Sequence, residues 1–177
     1  MIKTKRISES QSIMTEMIMP NDTNPLGNLM GGNLMRWMDI AAAICANRHA
    51  EAYCVTVSVD NIAFYKPIKL GQVITLEARI TRAFNTSMEV YVKAYGSDSR
   101  KTDKILANHA FFSFVALDEH TLKPIEVPQI EPENDEENQL FESALARREM
   151  RLLLSGRLEG KNATLLREVL DGTRLFH

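Results

Sequence analysis

The sequence has 177 residues, of which 45% are hydrophobic and 25% are charged, a composition typical of a globular protein with one main domain and an appendage. The formal net charge of -2 gives no reason to expect a nucleic acid as partner, because polyanion binding needs an excess of basic residues. The sequence contains neither a run of about 18 apolar residues, the length that spans a membrane, nor an apolar signal segment near its start, so we predict a cytoplasmic protein.

The part of the sequence before the first predicted helix divides into three segments. Residues 1–12 are polar and are expected to be frayed. Residues 14–20 alternate between apolar and polar side chains, which predicts a short edge strand that ends at Pro20. Residues 21–32 combine Asn, Asp, Pro and Gly, which favour turns, and they are expected to form a loop that leads into a helix.

The segment 33–48 predicts a helix that is buried on most of its sides. Its apolar residues recur at helical spacing, and Ile40 and Ile44 extend the apolar character around the remaining surface. The regular row comprises Leu34, Trp37, Met38, Ala41 and Cys45. A helix that is apolar on most sides belongs in the interior of a domain.

Four segments in which apolar and polar residues alternate follow the helix: 54–64, 73–82, 87–95 and 105–117. A period of two residues is typical of β-strands. Short stretches with turn-forming residues separate them, as in an antiparallel meander. These stretches contain Lys66-Pro67 with Gly71, Asn85-Thr86, and Gly96-Ser97-Asp98. One buried helix and one antiparallel sheet indicate an α+β fold.

The C-terminal part has a different character. After Asp118, three prolines and an acidic run predict a connector outside the core. Residues 136–158 are rich in Glu, Arg, Leu and Ala and predict an amphipathic helix that could dock on the domain or on a neighbouring molecule. Its apolar stripe would contain Leu140, Phe141, Ala144, Leu145 and Met150. We therefore place one domain at residues 1–130 and an acidic connector with a helical tail at 131–177.

Asp39 is the first candidate for a catalytic group. A carboxylate in the middle of an apolar helix is costly to desolvate unless something compensates it. The residues one turn later, Ala42 and Ala43, are small and leave room for a substrate or a water molecule. An ion pair with Arg36, three residues earlier, is the structural alternative.

The Gly31-Gly32 pair stands at the entrance of the same helix. The first N–H groups of a helix have no partners within it, and the helix dipole adds positive potential there. Because glycine lets a carbonyl approach the backbone closely, the pair could form an oxyanion hole; a tight turn without a ligand is the alternative. Asn24, in the preceding loop, has an amide that could orient a water or hold a carbonyl, although loop asparagines commonly stabilise turns.

No other catalytic motif competes with this arrangement. The sequence has no G-x-S-x-G elbow, no H-E-x-x-H motif and no glycine-rich phosphate loop. Its histidines are scattered: His49 fits the helix end, where the dipole favours a charged imidazole, and His109 fits a strand. Cys45 and Cys54 lack the spacing of a zinc site or a disulfide framework, which fits a reducing compartment. We predict neither a metal ion nor a cofactor.

The segment PNDTNPLGNLMGGNLMRWMDIAAAICANRHA, with its Asn, Gly, Gly-Gly pair and helical Asp, resembles the hot-dog acyl-CoA hydrolases of the cytosolic long-chain type. The resemblance continues through VTVSVDNIAFYKPIKLGQVITLEARI, NTSMEVYVKAY and ANHAFFSFVALD to KPIEVPQ, so it covers residues 14–129. It implies a hot-dog fold, in which an antiparallel sheet of about five strands wraps around a long central helix. It also implies hydrolysis of fatty acyl-CoA, dimers with a continuous sheet, and hexamers assembled as trimers of dimers.

The resemblance also implies roles for individual residues. Asp39 matches the family's acid, which either activates water or attacks the thioester itself, and the sequence leaves both mechanisms open. Asn24 matches an amide that assists from the partner subunit, and Thr56 matches a hydroxyl that helps to hold the water or substrate. The segment that contacts the nucleotide part of CoA is matched by Asn85, Thr86, Ser87 and Met88. Arg48 could pair with a CoA phosphate.

Two other functions fit parts of the sequence. A non-catalytic acyl-CoA sensor would keep a CoA pocket without needing the acid, so the joint presence of Asp39 and Asn24 argues against it. A hot-dog dehydratase or hydratase would need a histidine for proton transfer, and no histidine precedes His49. We therefore predict an acyl-CoA thioesterase in which every subunit carries both catalytic residues.

Overall fold

The computed structural model describes residues 3–172, apart from the side chains of Asn61 and Ala63. Residues 1–2 and 173–177, which belong to the predicted frayed end and tail, lie outside this description. The strands are β1 Thr4–Arg6, β2 Ser12–Met17, β3 Tyr53–Phe64, β4 Gln72–Ala83, β5 Ser87–Asp98, β6 Ile105–Leu117 and β7 Gln129–Glu131. The helices are α1 Gly31–Ala50, α2 Asp135–Leu154 and α3 Thr164–Leu170.

Five strands form one antiparallel sheet in the order β2-β4-β5-β6-β3, and α1 packs against one face of it. Alternate residues of β4, β5 and β6 cover this face, and α1 contributes residues spaced by three and four, so both periodicities of the sequence meet in one core. The core includes Leu34, Trp37, Met38, Ala41 and Cys45 from α1 and Leu76, Ile80, Val90, Val92, Phe112 and Phe114 from the sheet. The predicted α+β hot-dog fold is confirmed.

The predicted meander is wrong in one connection. β3 does not pair with β4 but lies at the opposite edge of the sheet, where it pairs with β6. The segment that contains Lys66-Pro67 is therefore a crossover and not a hairpin turn. This crossover is bonded to the loop before α1, because the N–H of Leu29 donates to the carbonyl of Ile68 (2.7 Å). Alternation of side chains determines the face on which each residue lies, but it does not determine which strand lies alongside.

The prediction of a frayed N-terminal segment is also wrong, since β1 pairs in parallel with β7 and places Lys5 opposite Ile130. Lys5 is only 7% exposed, and its ammonium donates to the carbonyls of Arg48 (3.0 Å) and His49 (2.9 Å) at the end of α1. The predicted connector after Asp118 is not wholly outside the core, because its Ile130 is buried. A pairing of segments so far apart in sequence leaves no local pattern to recognise.

A second compact unit begins at Pro132. Its helix α2 follows Asn134, whose side chain accepts a hydrogen bond from the N–H of Glu137 (3.0 Å), the usual N-cap interaction. The predicted helix at 136–158 is thus present, but it ends at Leu154. A glycine with a positive φ of 70° lies two residues later, and this conformation commonly terminates helices.

The helices of this unit differ from the sequence-based expectation in two respects. In the predicted apolar stripe, Ala144 is buried but Met150 is 39% exposed. The helix α3 was not predicted, and its Leu166 N–H donates to the carboxylate of Glu149 on α2 (2.8 Å). Across residues 3–172, none of the helices combines the length and the apolar composition that crossing a membrane requires.

Candidate active site

Asp39 lies in the middle of α1 and faces β3. Its Oδ1 accepts a hydrogen bond from the hydroxyl of Thr56 on β3 (2.7 Å). Within the described part of the chain, the carboxylate makes this bond and no ion pair with Arg36. The side chain is half-buried, and Oδ2 remains for a reacting group. A helix and a strand therefore present one oriented carboxylate, and the pairing of β3 with β6 shifts its register directly after Thr56.

Asn24 closes a turn in the loop that precedes α1. Its Oδ1 accepts hydrogen bonds from the N–H groups of Leu26 (3.0 Å) and Asn28 (3.2 Å). This is the turn chemistry expected of a loop asparagine, but it occupies only the oxygen of the amide. The Nδ2 group remains as the donor that could face a ligand.

The Gly31-Gly32 pair forms the start of α1. The first N–H groups of a helix have no acceptor within it, and Met30, the residue before the helix, makes no side-chain capping bond. A Cβ on Gly31 would lie 3.0 Å from the ring of Phe64, whereas nothing lies within 4 Å of the corresponding position on Gly32. The space above Gly32 is therefore open to a ligand.

A pocket of about 430 Å³ opens beside this end of the helix. It brings together Asn24 and Gly31, two of the predicted site residues. The other walls are mostly apolar and comprise Asn28, Leu29, Leu34, Phe64, Tyr65, Lys66, Pro67 and Ile68. Sequence reasoning considers Lys66 only as a possible partner of a CoA phosphate. It missed Tyr65, Pro67 and Ile68 as site residues, because it took the crossover after β3 for a hairpin turn.

Asp39 and Thr56 do not line this pocket. Asp39 follows Gly31 by eight residues in α1, which at the normal helical rise corresponds to about 12 Å along the axis. Within one chain, Asp39 is therefore bonded to Thr56, and Asn24 lines a pocket together with Gly31. These two pairs lie apart from each other.

The predicted nucleotide-binding turn connects β4 to β5. The carbonyls of Asn85 and Thr86 accept hydrogen bonds from the N–H groups of Val127 (3.0 Å) and Ala116 (3.1 Å). Met88 is fully buried, so its side chain belongs to the core. The predicted contact of this segment with the nucleotide part of CoA stays a prediction. The surface of the segment is formed by Asn85, which is exposed, and by Thr86 and Ser87, which are half-buried.

Arg48 and His49 occupy the C-terminal end of α1 and differ in environment. Arg48 is exposed, and its guanidinium donates to the carbonyl of Gln11 (3.1 Å). His49 is fully buried, with Nε2 2.8 Å from the carbonyl of Pro128. Burial lowers the pKa of His49 below its ordinary value. His49 therefore lies in the last turn of α1, as predicted, but burial favours its neutral form over the charged form that the helix dipole favours.

His109 and the two thiols have structural environments. His109 lies in β6, as predicted, with its ring 5.4 Å from that of Tyr65 and 5.6 Å from that of Tyr91. Both cysteines are free, and burial raises the pKa of Cys45 to about 12 and that of Cys54 to about 11, which disfavours the reactive thiolate. Among residues 3–172, no group of three or more His, Cys, Asp or Glu side chains is placed to hold a metal ion.

Residues 26–102 match the thioesterase superfamily. The chain is 38% identical over 145 residues to YkhA of Bacillus subtilis, described as an uncharacterized acyl-CoA thioester hydrolase, and the match covers 82% of this chain and 84% of that protein. A hexameric acyl-CoA thioesterase superposes with a TM-score of 0.83 and 36% identity, covering 87% of this chain and 98% of the other. An acyl-CoA hydrolase from Staphylococcus aureus, solved with butyryl-CoA, CoA and CoA disulfide, has a TM-score of 0.80 and 37% identity, with coverage of 87% and 95%.

Alanine variants of the Staphylococcus aureus hydrolase have also been solved, each 36% identical to this chain. They replace an aspartate, a threonine and an asparagine, and the asparagine variant was solved with CoA. Along the sequence of that enzyme the asparagine comes first, the aspartate second and the threonine third.

Proposed function

Because the chain belongs to the thioesterase superfamily and, within it, to the acyl-CoA thioester hydrolases, we propose that it hydrolyses fatty acyl-CoA to a free fatty acid and CoA at a site built around Asp39. The chain is a thioester hydrolase, like the relatives that match most of its length. The observation that carries the proposal is the 2.7 Å hydrogen bond from Thr56 to Asp39. It fixes the orientation of the single carboxylate that α1 contains.

The three predicted catalytic residues repeat the spacing of the Staphylococcus aureus variants. Asn24, Asp39 and Thr56 follow one another in the same order of residue types, and both intervals between them equal those between the residues replaced in that enzyme. Agreement in type, order and both intervals supports the assignment of these residues to one catalytic group.

The site is shared between two chains. Within one chain about 12 Å of helix separates Gly31 from Asp39, so Asn24 and the glycine pair of one chain would meet Asp39 and Thr56 of another. β3 offers the surface for such a pairing, since in the described sheet it is an edge strand bonded to β6. Its exposed side chains include Tyr53, Val55 and Val57, and an exposed apolar edge readily accepts a strand from another chain.

These features support a homodimer with a sheet that continues from one chain into the next. Exposed apolar residues of α1 extend the same kind of surface, namely Met35, Ile40 and Ile44. A closed two-fold interface would give each dimer two equivalent sites. The similarity to a hexameric acyl-CoA thioesterase supports assembly of three such dimers into a trimer of dimers.

Two routes to hydrolysis fit this geometry. In the first, Oδ2 of Asp39 removes a proton from water, and the oxygen of that water attacks the thioester carbonyl carbon. In the second, Oδ2 itself attacks and forms a mixed anhydride, which water then opens. In both routes the C–S bond breaks with its electron pair on sulfur, and the CoA thiolate takes up a proton.

The other proposed site residues stabilise the reacting groups by hydrogen bonds. The N–H groups of Gly31 and Gly32 donate to the oxyanion of the tetrahedral intermediate, where negative charge develops. Asn24 donates through Nδ2 to the attacking water or to the carbonyl. Thr56 keeps the carboxylate of Asp39 aligned. The chemistry requires no cofactor, and CoA takes part only as a portion of the substrate.

The nucleotide part of CoA is assigned to the turn formed by Asn85, Thr86 and Ser87. A trans peptide directs its carbonyl and the following N–H to opposite sides. Since the carbonyls of Phe84 and Asn85 accept bonds from residues 129 and 127, the N–H groups of Asn85 and Thr86 point the other way, where a phosphate could accept from them. The exposed guanidinium of Arg48 supplies a cation for the same ligand.

Thiol release from acyl-CoAs of increasing chain length tests the proposed activity. Asp39→Asn should lower kcat by at least about 100-fold, the usual contribution of a general base, while circular dichroism and sizing show that the variant is folded and assembled. Arg36→Gln, an exposed change one turn earlier on α1, is the matched control and should retain activity. Full turnover by Asp39→Asn would refute the assignment, and the chain-length optimum identifies the acyl group preferred.

A mixing experiment tests the shared site. Asn24→Ala and Asp39→Ala should each be nearly inactive alone. In a mixed dimer one site carries both substitutions and the other carries neither, so random assortment should restore about one quarter of wild-type activity. Mixed dimers that are verified by native mass spectrometry and remain inactive would show that Asn24 and Asp39 act within one chain.

A further inference from the structure

We propose that His49 and Gln129 are positioning residues for the nucleotide part of the substrate, because they fix the β4–β5 turn through residues 127–131, here called the strap. This inference rests on the proposed function, since it concerns the turn at which CoA is proposed to bind. Neither side chain touches the substrate. Both act through the orientation of the backbone in the turn.

The strap contacts the turn through two successive carbonyls. Nε2 of Gln129 donates to the carbonyl of Phe84 (3.2 Å), and the N–H of Val127 donates to the carbonyl of Asn85 (3.0 Å). Because each peptide unit is planar, fixing these carbonyls also fixes the N–H groups of Asn85 and Thr86. The donors proposed to meet a phosphate therefore take their direction from the strap.

His49 attaches the strap to the end of α1. Its Nε2 lies 2.8 Å from the carbonyl of Pro128, the residue between the two that contact the turn. A carbonyl can only accept, so Nε2 carries the proton and donates, while Nδ1 becomes an acceptor 3.4 Å from the hydroxyl of Ser10. Both His49 and Ser10 are fully buried. Because a proline has no N–H, this residue can be held through its carbonyl alone.

A second set of contacts fixes the strap along its length. β1 pairs with it in parallel, and Lys5 opposite Ile130 donates to the carbonyls of Arg48 (3.0 Å) and His49 (2.9 Å). Arg48, the residue assigned to a CoA phosphate, thus belongs to the helix end that the strap contacts. Continuous hydrogen bonds join the two parts of the proposed nucleotide site, the helix end and the turn.

Gln129→Ala tests the inference with little change to the fold. We expect KM for acyl-CoA to rise about three- to tenfold, the factor that corresponds to the loss of one hydrogen bond, with kcat unchanged. KM for the matching acyl-pantetheine, which has the same thioester and no nucleotide, should stay the same. His49→Leu should show the same difference between the two substrates, and His49→Gln, which keeps an N–H donor, should largely reverse it.

A variant of the turn itself separates failure of this inference from failure of the CoA site. Asn85→Asp adds a negative charge and should raise KM for acyl-CoA relative to KM for acyl-pantetheine. An unchanged KM ratio in Asn85→Asp would remove the proposed CoA site. If Asn85→Asp raises the KM ratio of acyl-CoA to acyl-pantetheine and Gln129→Ala leaves it unchanged, the CoA site stands and only the positioning role is overturned. Equal losses with both substrates in Gln129→Ala would also overturn it, since they indicate general damage.

Discussion

At its N-terminal end, α1 starts with two glycines whose N–H groups meet no side-chain cap, beside a pocket of about 430 Å³. At its C-terminal end, the last carbonyls accept hydrogen bonds from a buried lysine, and a buried histidine joins the helix to the strap. Both ends of any helix carry unsatisfied backbone groups. In α1 the N-terminal end, here called the open end, has N–H groups to offer a ligand. At the C-terminal end, here called the closed end, the carbonyls of Arg48 and His49 already have a donor.

This contrast predicts different responses to substitution at the two ends. A change at the closed end removes satisfied contacts and should lower the free energy of unfolding. A change at the open end removes few contacts within the protein, so it should alter activity with little loss of stability. Three substitutions, each with a matched control, test the contrast.

Lys5→Met should have the largest effect on stability. The side chain of Lys5 is only 7% exposed, and its ammonium pairs with Glu51 (2.7 Å) as well as donating to two carbonyls. Leaving these carbonyls without their donor should cost about 1–3 kcal/mol in the free energy of unfolding, measured in urea. Lys3→Met is the control, because Lys3 also pairs with Glu51 (2.7 Å) but is 61% exposed, and an exposed ion pair contributes at most about 1 kcal/mol. Equal losses in the two variants would mean that the closed end depends on surface charge and not on the buried bonds.

Gly32→Ala should separate stability from activity at the open end. Alanine is more favourable than glycine within a helix, so thermal unfolding should show a gain of up to about 1 kcal/mol. The new methyl group would occupy the space that the thioester carbonyl approaches, and kcat/KM should fall about tenfold, since small displacements of reacting atoms are costly.

Gly31→Ala is the control for this substitution. Its Cβ would lie 3.0 Å from the ring of Phe64, so the ring must move and the stability gain should disappear. A Gly32→Ala protein that is both more stable and fully active would show that the glycine pair does not receive the substrate.

The smallest effect concerns the pH dependence of stability. Burial holds the pKa of His49 below the ordinary value near 6.5. Just below pH 6.5, His49 therefore binds a proton in the unfolded chain but stays neutral in the folded protein. The contribution of neutral His49 is fully present above about pH 6.5 and is lost as the pH falls towards the folded-state pKa. Urea unfolding across this range should show a shallower decline for His49→Gln than for the wild type.

The same measurement of stability against pH is needed for a variant of His109. Burial and the nearby charge of Lys93 lower the pKa of His109 in the same direction, so His109→Gln should also reduce the decline. The two reductions should add, because the histidines lie in separate environments. An identical pH profile for His49→Gln and the wild type would show that His49 is not the buried neutral group described above.

Much of the fold could be predicted from the sequence. The period of two in 105–117 gave β6 its correct bounds, and the helical row around Met38 located α1 to within two residues at each end. Periodicity reports only the face on which a residue lies. It therefore could not show that β3 joins β6, that β1 meets β7, or that Lys5 closes the end of α1.

The site was predictable to a lesser degree. Helical spacing singled out Asp39, but the hydroxyl that orients it lies on a separate strand, and only the family resemblance indicated Thr56. Residue type also does not show which atoms already have partners within the protein. The amide oxygen of Asn24 accepts hydrogen bonds in a turn, and the side chain of Met88 is buried in the core. Such facts depend on tertiary contacts, which a pattern of residue types does not contain.

The pairing of β1 with β7 has a consequence for the order in which the chain acquires its structure. The two strands are separated by roughly 125 residues, and closing so long a loop has an entropic cost that other contacts must offset first. During synthesis Lys5 is made well before the strand that pairs with β1. We therefore expect the sheet and α1 to assemble before β1 pairs with β7 and holds Lys5 against the carbonyls of Arg48 and His49.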